Sequence, residues 1–151
     1  MVAVDTNILV YAHRRDSPWN RQAAACLIAL AEGTAPWAIP WPCIHEFMAV
    51  VTHPKIFQPP TPVARAIADL EVWFESPSLR LIGEDDGYWP HLKELLRRGA
   101  AMGPMIHDAR IAAICRANGV RILFSADRDF SRFRGLEVRN PLVAPGHQTT
   151  S

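Results

Sequence analysis

At 151 residues and 49% hydrophobic composition, the chain suits one globular domain with a sizeable core, and no apolar stretch approaches the roughly 20 residues of a membrane-spanning helix. A net charge of +1 gives no bulk electrostatic case for or against nucleic acid, although every one of the sixteen basic residues except Lys55 and Lys93 is arginine. Three scattered cysteines, Cys26, Cys43 and Cys115, form no metal-spacing pair, and acidic Asp5 stands where a secretory leader carries basic residues, so the expectation is a cytoplasmic protein with reduced thiols.

Residues 1–5 read as a short buried strand, and TNILVYAHR (6–14) has helical spacing, with Ile8, Tyr11 and Ala12 on one side. Ser17-Pro18 is the expected N-cap and first residue of a helix that runs through WNRQAAACLIALAE to Gly33. WAIPW (37–41) is a second strand closed by Pro42, followed by a helix over 43–53. Four prolines make 54–62 a rigid loop, with Thr61 capping a helix over about 62–75. LRLIG (79–83) reads as strand, 86–102 as mostly helix, and 104–119 as a helix ended by Gly119. VRILFSAD (120–127) has the strongest strand character of the chain, and LEVRN (136–140) is a last short strand. Strands alternating with helices predict an α/β protein, a parallel sheet covered on both faces, with residues 1–142 as one domain and 143–151 as a loose tail.

On this scheme Asp5 ends the first strand, Glu46 lies early in the helix after the second, and Asp108 lies near the start of the helix before RILF. Asp127 and Asp129 follow the end of that strand. Ligands of open parallel sheets bind outside the carboxyl ends of the strands, so the topology aims all these acids at one edge. Two carboxylates about 4 Å apart repel by around 4 kcal/mol at an effective dielectric near 20, which calls for bound protons or a divalent cation. An all-oxygen donor set points to Mg²⁺ or Mn²⁺ rather than zinc. Taken singly each acid has an ordinary use, Asp5 as a turn or helix-cap residue and Asp108 as a complement to a helix dipole; the set is what points to metal. Thr6 and Asn7 begin the next helix, placed to support the Asp5 carboxylate by hydrogen bonds. His45-Glu46 does not extend to a zinc-protease motif, because Ala49 stands where the second histidine belongs, and the chain has no glycine-rich phosphate loop or G-x-S-x-G elbow.

The segments VDTNILVYA, HEF, HDARIAAICRANG and ILFSADRDF, in this order and spacing, resemble the four signature segments of the PIN-domain nuclease family, in particular the VapC-type toxins of bacterial toxin–antitoxin pairs. The likeness spans about residues 1–140, and the VVTHPKIFQPP loop is similar to loops of that toxin group. It implies a three-layer α/β/α sandwich around a parallel sheet of four or five strands. Asp5, Glu46 and Asp108 match the three main catalytic acids and Asp127 the fourth, all four serving also as the metal set; Asp129, Asn7 and Ser125 are further candidates, Ser125 keeping the hydroxyl of the family's frequent threonine. The resemblance implies an Mg²⁺- or Mn²⁺-dependent endoribonuclease acting on tRNA, rRNA or mRNA and leaving 5′-phosphate and 3′-hydroxyl ends. It also implies a homodimer and a cognate antitoxin that neutralises it in a heterotetramer or larger assembly. Arg14, Arg15, Arg128 and Arg132 are candidates to hold RNA phosphates, and the tryptophans, Trp19, Trp37, Trp41, Trp73 and Trp89, to stack bases or pack the protein. The alternatives are a catalytically silent binding partner or a receiver-like Mg²⁺-binding interaction module; the latter needs a lysine on a late strand, and neither Lys55 nor Lys93 follows RILFSAD.

Overall fold

The computed structural model describes residues 1–143, so the expected tail lies outside the described residues except for Val143. Five parallel strands, β1 (Val2–Val4), β2 (Trp37–Pro40), β3 (Leu79–Ile82), β4 (Ile122–Phe124) and β5 (Glu137–Arg139), form one sheet in the order β3-β2-β1-β4-β5. Six α-helices flank it: α1 (Thr6–His13), α2 (Asn20–Glu32), α3 (Trp41–Val51), α4 (Val63–Phe74), α5 (Tyr88–Arg98) and α6 (Met105–Ala117). A 3₁₀ helix, Arg128–Arg132, links β4 to β5.

The strand order explains the layers. From β1 the chain steps outward to β2 and β3, then returns across the sheet to β4 and β5. Right-handed crossovers running in opposite directions place their helices on opposite faces. Accordingly α1 packs with α2 and α3, and α3 with α4, while α5 and α6 pair with each other. The reversal makes the gap between β1 and β4 the topological switch point, where doubly wound sheets bind ligands. Val4 pairs with Phe124 in register, so both strands end at the same height beside that gap. Ala3, Val4 and all of β2 are buried, as continuous apolar runs in the middle of a parallel sheet require. No helix among the described residues is long and apolar enough to cross a membrane.

Several boundaries differ from the sequence expectation, each for a local reason. α2 begins at Asn20 rather than at Pro18: Ser17 Oγ accepts from the Trp19 amide in a turn, and Asn20 Nδ2 donates to the carbonyls of Tyr11 and Ala12, closing the end of α1. β2 ends at Pro40 and α3 opens at Trp41, with Pro42 in its first turn instead of closing the strand, because a proline there gives up only an amide with no helical partner. Thr61 does not cap α4; Pro62 holds that position, and Thr61 is buried against α1. The strand expected over 120–127 is confined to Ile122–Phe124, because Ser125 to Asp127 turn away to build the site described below. α6 ends as expected, with Gly119 at φ 74° and the Val120 amide reaching back to the Cys115 carbonyl.

Candidate active site and metal centre

Asp5 stands at the N-cap of α1 in extended conformation, yet its side chain makes no capping hydrogen bond. Its backbone amide continues the ladder to the Phe124 carbonyl at 3.0 Å. The carboxylate is only 5% exposed, and Oδ2 accepts from Ser125 Oγ at 2.7 Å and from Asn7 Nδ2 at 3.4 Å. Ser125 Oγ also accepts from Asn7 Nδ2 and from the Asp127 amide, at 3.2 and 2.9 Å, which uses its one donor and both acceptor positions. The Asn7 side-chain oxygen accepts from the Ala126 amide at 3.2 Å. Asn7 and Ser125 thereby bolt the end of β1 to the end of β4 across the switch point.

Thr6 acts differently from the expectation. Its hydroxyl donates not to Asp5 but to Glu46 Oε2, at 3.1 Å, and so aims a carboxylate from the exposed side of α3. From the opposite face, α6 supplies half-buried Asp108 one turn from its start. Asp127 caps the 3₁₀ helix, its Oδ1 accepting from the Asp129 amide at 2.9 Å. Asp108, Asp127 and Asp129 each present an oxygen within 4.8 Å of the other two. Asp5, Glu46, Asp108 and Asp127 line one cleft of about 300 Å³, and Asp129 stands at its rim.

This much negative charge is poorly balanced. Burial pushes the Asp5 carboxyl up to about 6; the Ser125 hydroxyl and the Thr6 amide pull against this, and the charge of Glu46 adds to it. Asp108 is raised first by burial and then by the charges of Asp127, Asp129 and Glu46, with Arg132 opposing. Carboxylates that shift upward together have an unmet need for positive charge. Their oxygens, with no soft donor among the cleft-lining residues, fit a hard divalent cation.

The arginines divide. Arg132 lies on the 3₁₀ helix, its Nε on the Asp129 carbonyl at 3.0 Å and its Nη2 at 3.9 Å from the Asp129 carboxylate. Arg128 is exposed next to Asp127, and Arg15 is exposed after α1. Arg14 is taken up inside the protein by Asp16, by the Pro59 carbonyl and by Thr61. No tryptophan lines the cleft; Trp37 is wholly buried and Trp73 packs against Phe47. The aromatic groups there are Tyr11, Phe57 and Phe130, and sequence periodicity, which separates core from surface, carries no signal for a ring on a cleft wall.

Residues 2–136 match the family model of the PIN domain. The chain is 33% identical to the ribonuclease VapC43 of Mycobacterium tuberculosis over 97% of its own length and 99% of the relative's. It is 30% identical to the ribonuclease VapC48 of the same organism, over 91% and 94%. A crystal structure of VapBC2 from Rickettsia felis, bound to a DNA fragment from its promoter, shares the fold at a TM-score of 0.67 and 21% identity, covering 93% of this chain and 98% of that one. With the match running through all five acids and four of the five strands, the chain belongs to the PIN-domain family.

Proposed function

We propose that the protein is a divalent-metal-dependent endoribonuclease, the toxin of a toxin–antitoxin pair. The observation that carries this reading is the convergence of Asp5, Glu46, Asp108 and Asp127 on one cleft at the switch point of a PIN-domain sheet. Relatives named ribonucleases at 30–33% identity support the reaction class, and the likeness to a VapBC structure supports an antitoxin partner.

Mg²⁺ or Mn²⁺, when bound, lowers the pKa of water and steadies negative charge on a phosphate. Asp5, from the end of β1, and Asp108, from the first turn of α6, would be its direct ligands. Ser125 and Asn7 hold Asp5 in place, and the bond donated by Ser125 favours its ionised form. Glu46, held by the Thr6 hydroxyl, and Asp127, whose backbone amide donates a hydrogen bond to Ser125 Oγ, would complete the set and orient the attacking water. That water would form a new P–O bond opposite the 3′-oxygen as the P–O3′ bond breaks, one of its protons ending on the 3′-oxygen, to leave 5′-phosphate and 3′-hydroxyl ends. Arg15, Arg128 and Arg132 hold neighbouring phosphates, whereas Arg14 serves the fold of the 52–62 loop. The protein works in the cytoplasm, as a homodimer held inactive by its antitoxin in a heterotetramer or larger complex. No observation favours the receiver-like or silent alternatives.

Purified protein incubated with total cellular RNA is expected to cut it at discrete positions with Mg²⁺ or Mn²⁺ and not with EDTA. Ligation-dependent sequencing of the new ends reads their 5′-phosphates. Intact RNA under all metal conditions defeats the reading.

A further inference from the structure

The cleft has a second half that the acids do not use. Val10, Tyr11, Val50 and Phe57 line it, supplied by α1, α3 and the loop after α3. Phe57 is half-buried yet firmly held: the Arg14 guanidinium carbon lies 4.3 Å from its ring centroid. Arg14 is itself fixed by the Asp16 carboxylate, at 2.6 and 2.9 Å, and by the Pro59 carbonyl at 2.9 Å. The Phe57 amide is anchored on the His53 carbonyl at 3.1 Å. An arginine over an aromatic face contributes cation–π attraction, and here it leaves the rest of the ring to the cleft. Tyr11 and Phe57 pack against the core on one side and line the cleft on the other, so the ring surface they show to the cleft is held in place and can stack a base.

The two halves share one cavity, so one ligand spans both. It has an anionic group that a cation on the acids attracts and a flat apolar face that the aromatic wall can meet. A nucleotide of the RNA strand has this build. Resting on the ribonuclease reading above, we infer that the Tyr11–Phe57 wall is a nucleobase subsite that takes an unpaired base flanking the scissile phosphate. A base in a duplex cannot leave its stack without cost, so the subsite selects cut positions in loops and single strands. Recognition through the π-face of the base discriminates weakly among the four bases and strongly against the absence of a base.

The test uses an RNA oligonucleotide that carries a cut position mapped with the wild-type protein. Two further versions each place an abasic nucleotide on one side of the scissile bond. One of the two abasic RNAs is expected to lose about tenfold or more in kcat/KM, the scale of a lost base–aromatic stack. Phe57→Ala should lose a similar factor on the intact RNA and little more on that abasic one, because both changes remove the same contact. A 2-aminopurine at the sensitive position should be quenched on binding to wild type and less so to Phe57→Ala, a readout independent of cutting. If both abasic RNAs are cut as fast as the intact one, the subsite is overturned and the wall belongs to a protein partner. That comparison needs only the wild-type protein, so it decides even if Phe57→Ala does not fold. If the wild type cuts no RNA at all, the ribonuclease reading falls and the subsite with it.

Discussion

The two ends of α1 carry polar networks of similar composition and opposite character. At its C-terminal end His13, whose side chain is 3% exposed, joins Asp69 Oδ2 through Nδ1 at 2.6 Å and Thr61 Oγ1 through Nε2 at 2.8 Å. Arg14 beside it is paired with Asp16. Each charge there has a partner on the protein, and the network ties α1 to α4 and to the proline-rich loop. At the N-terminal end Asp5, Glu46, Asp108, Asp127 and Asp129 meet with Arg132 as the opposing charge, and two carboxyls move upward. Internal pairing marks a brace; charge left for a ligand to balance marks a site.

Breaking the site end should have the largest effect. Asp5→Asn and Asp108→Asn are each expected to lower RNA cleavage by about 10³-fold or more while the protein stays folded, since metal carboxylates act as a unit. Cleavage assays with matched circular dichroism check both points; wild-type-like cutting by either variant would remove that residue from the ligand set. Stability gives the second contrast. Asp5 titrates near 6 in the fold against an ordinary 3.8, so between these values the folded state binds the extra proton and stability falls as pH rises. The loss amounts to about 3 kcal/mol in metal-free protein and is complete above pH ~6, because one pKa unit is worth about 1.4 kcal/mol. Urea melts in EDTA should therefore show Asp5→Asn gaining on wild type from pH 4 to 7, and added Mg²⁺ or Mn²⁺ should restore wild type only. A stability difference between Asp5→Asn and wild type that stays constant over that range would contradict the balance of charge described here.

The same contrast sets what could be read from sequence. The acids were legible because Asp5 and Asp127 terminate apolar strands, and a parallel sheet sends every strand end to one edge. The five-strand α/β/α arrangement followed from alternating strand and helix patterns in the same way. The shared use of Ser125 by Asp5, Asn7 and Asp127 was half legible, since a hydroxyl after a strand signals a polar role without naming partners at 118 to 120 positions' distance. The brace was not legible. His13, Asp69 and Thr61 come from three segments with no common spacing, and Thr61 read locally is a helix cap. Tyr11 and Phe57 were hidden likewise: an aromatic on a helix face or in a proline-rich loop has the same local pattern whether it meets core or cleft.

Breaking the brace at Asp69, on the side away from Arg14 and Phe57, should move stability and leave chemistry alone. Asp69→Ala removes the carboxylate from an almost fully buried imidazole, and the lost charge-assisted bond should cost about 1–3 kcal/mol in chemical denaturation. Cleavage per folded molecule should stay within about twofold of wild type, the mirror image of Asp5→Asn. A large fall in cleavage at unchanged stability would make the His13 network part of the site.

The smallest expected effect is the most diagnostic, because it lies where the two classes of polar group meet on one helix. Thr6 is buried and donates to Glu46 at 3.1 Å, while Val has nearly the same shape and no hydroxyl. Thr6→Val keeps the shape of the side chain, leaves the Cys43 thiol, which also meets the Thr6 side chain, its contact with Asp5, and frees Glu46, an exposed carboxylate that loses nothing by turning to water. Stability should therefore change by well under about 1 kcal/mol. Cleavage should fall about tenfold, the lower end of what the loss of an orienting hydrogen bond behind a metal ligand costs. Thr6→Ser, which keeps the hydroxyl, should recover most of the rate. If Thr6→Val cuts RNA at the wild-type rate, Glu46 needs no orientation from α1 and its place in the ligand set rests on its position in the cleft alone.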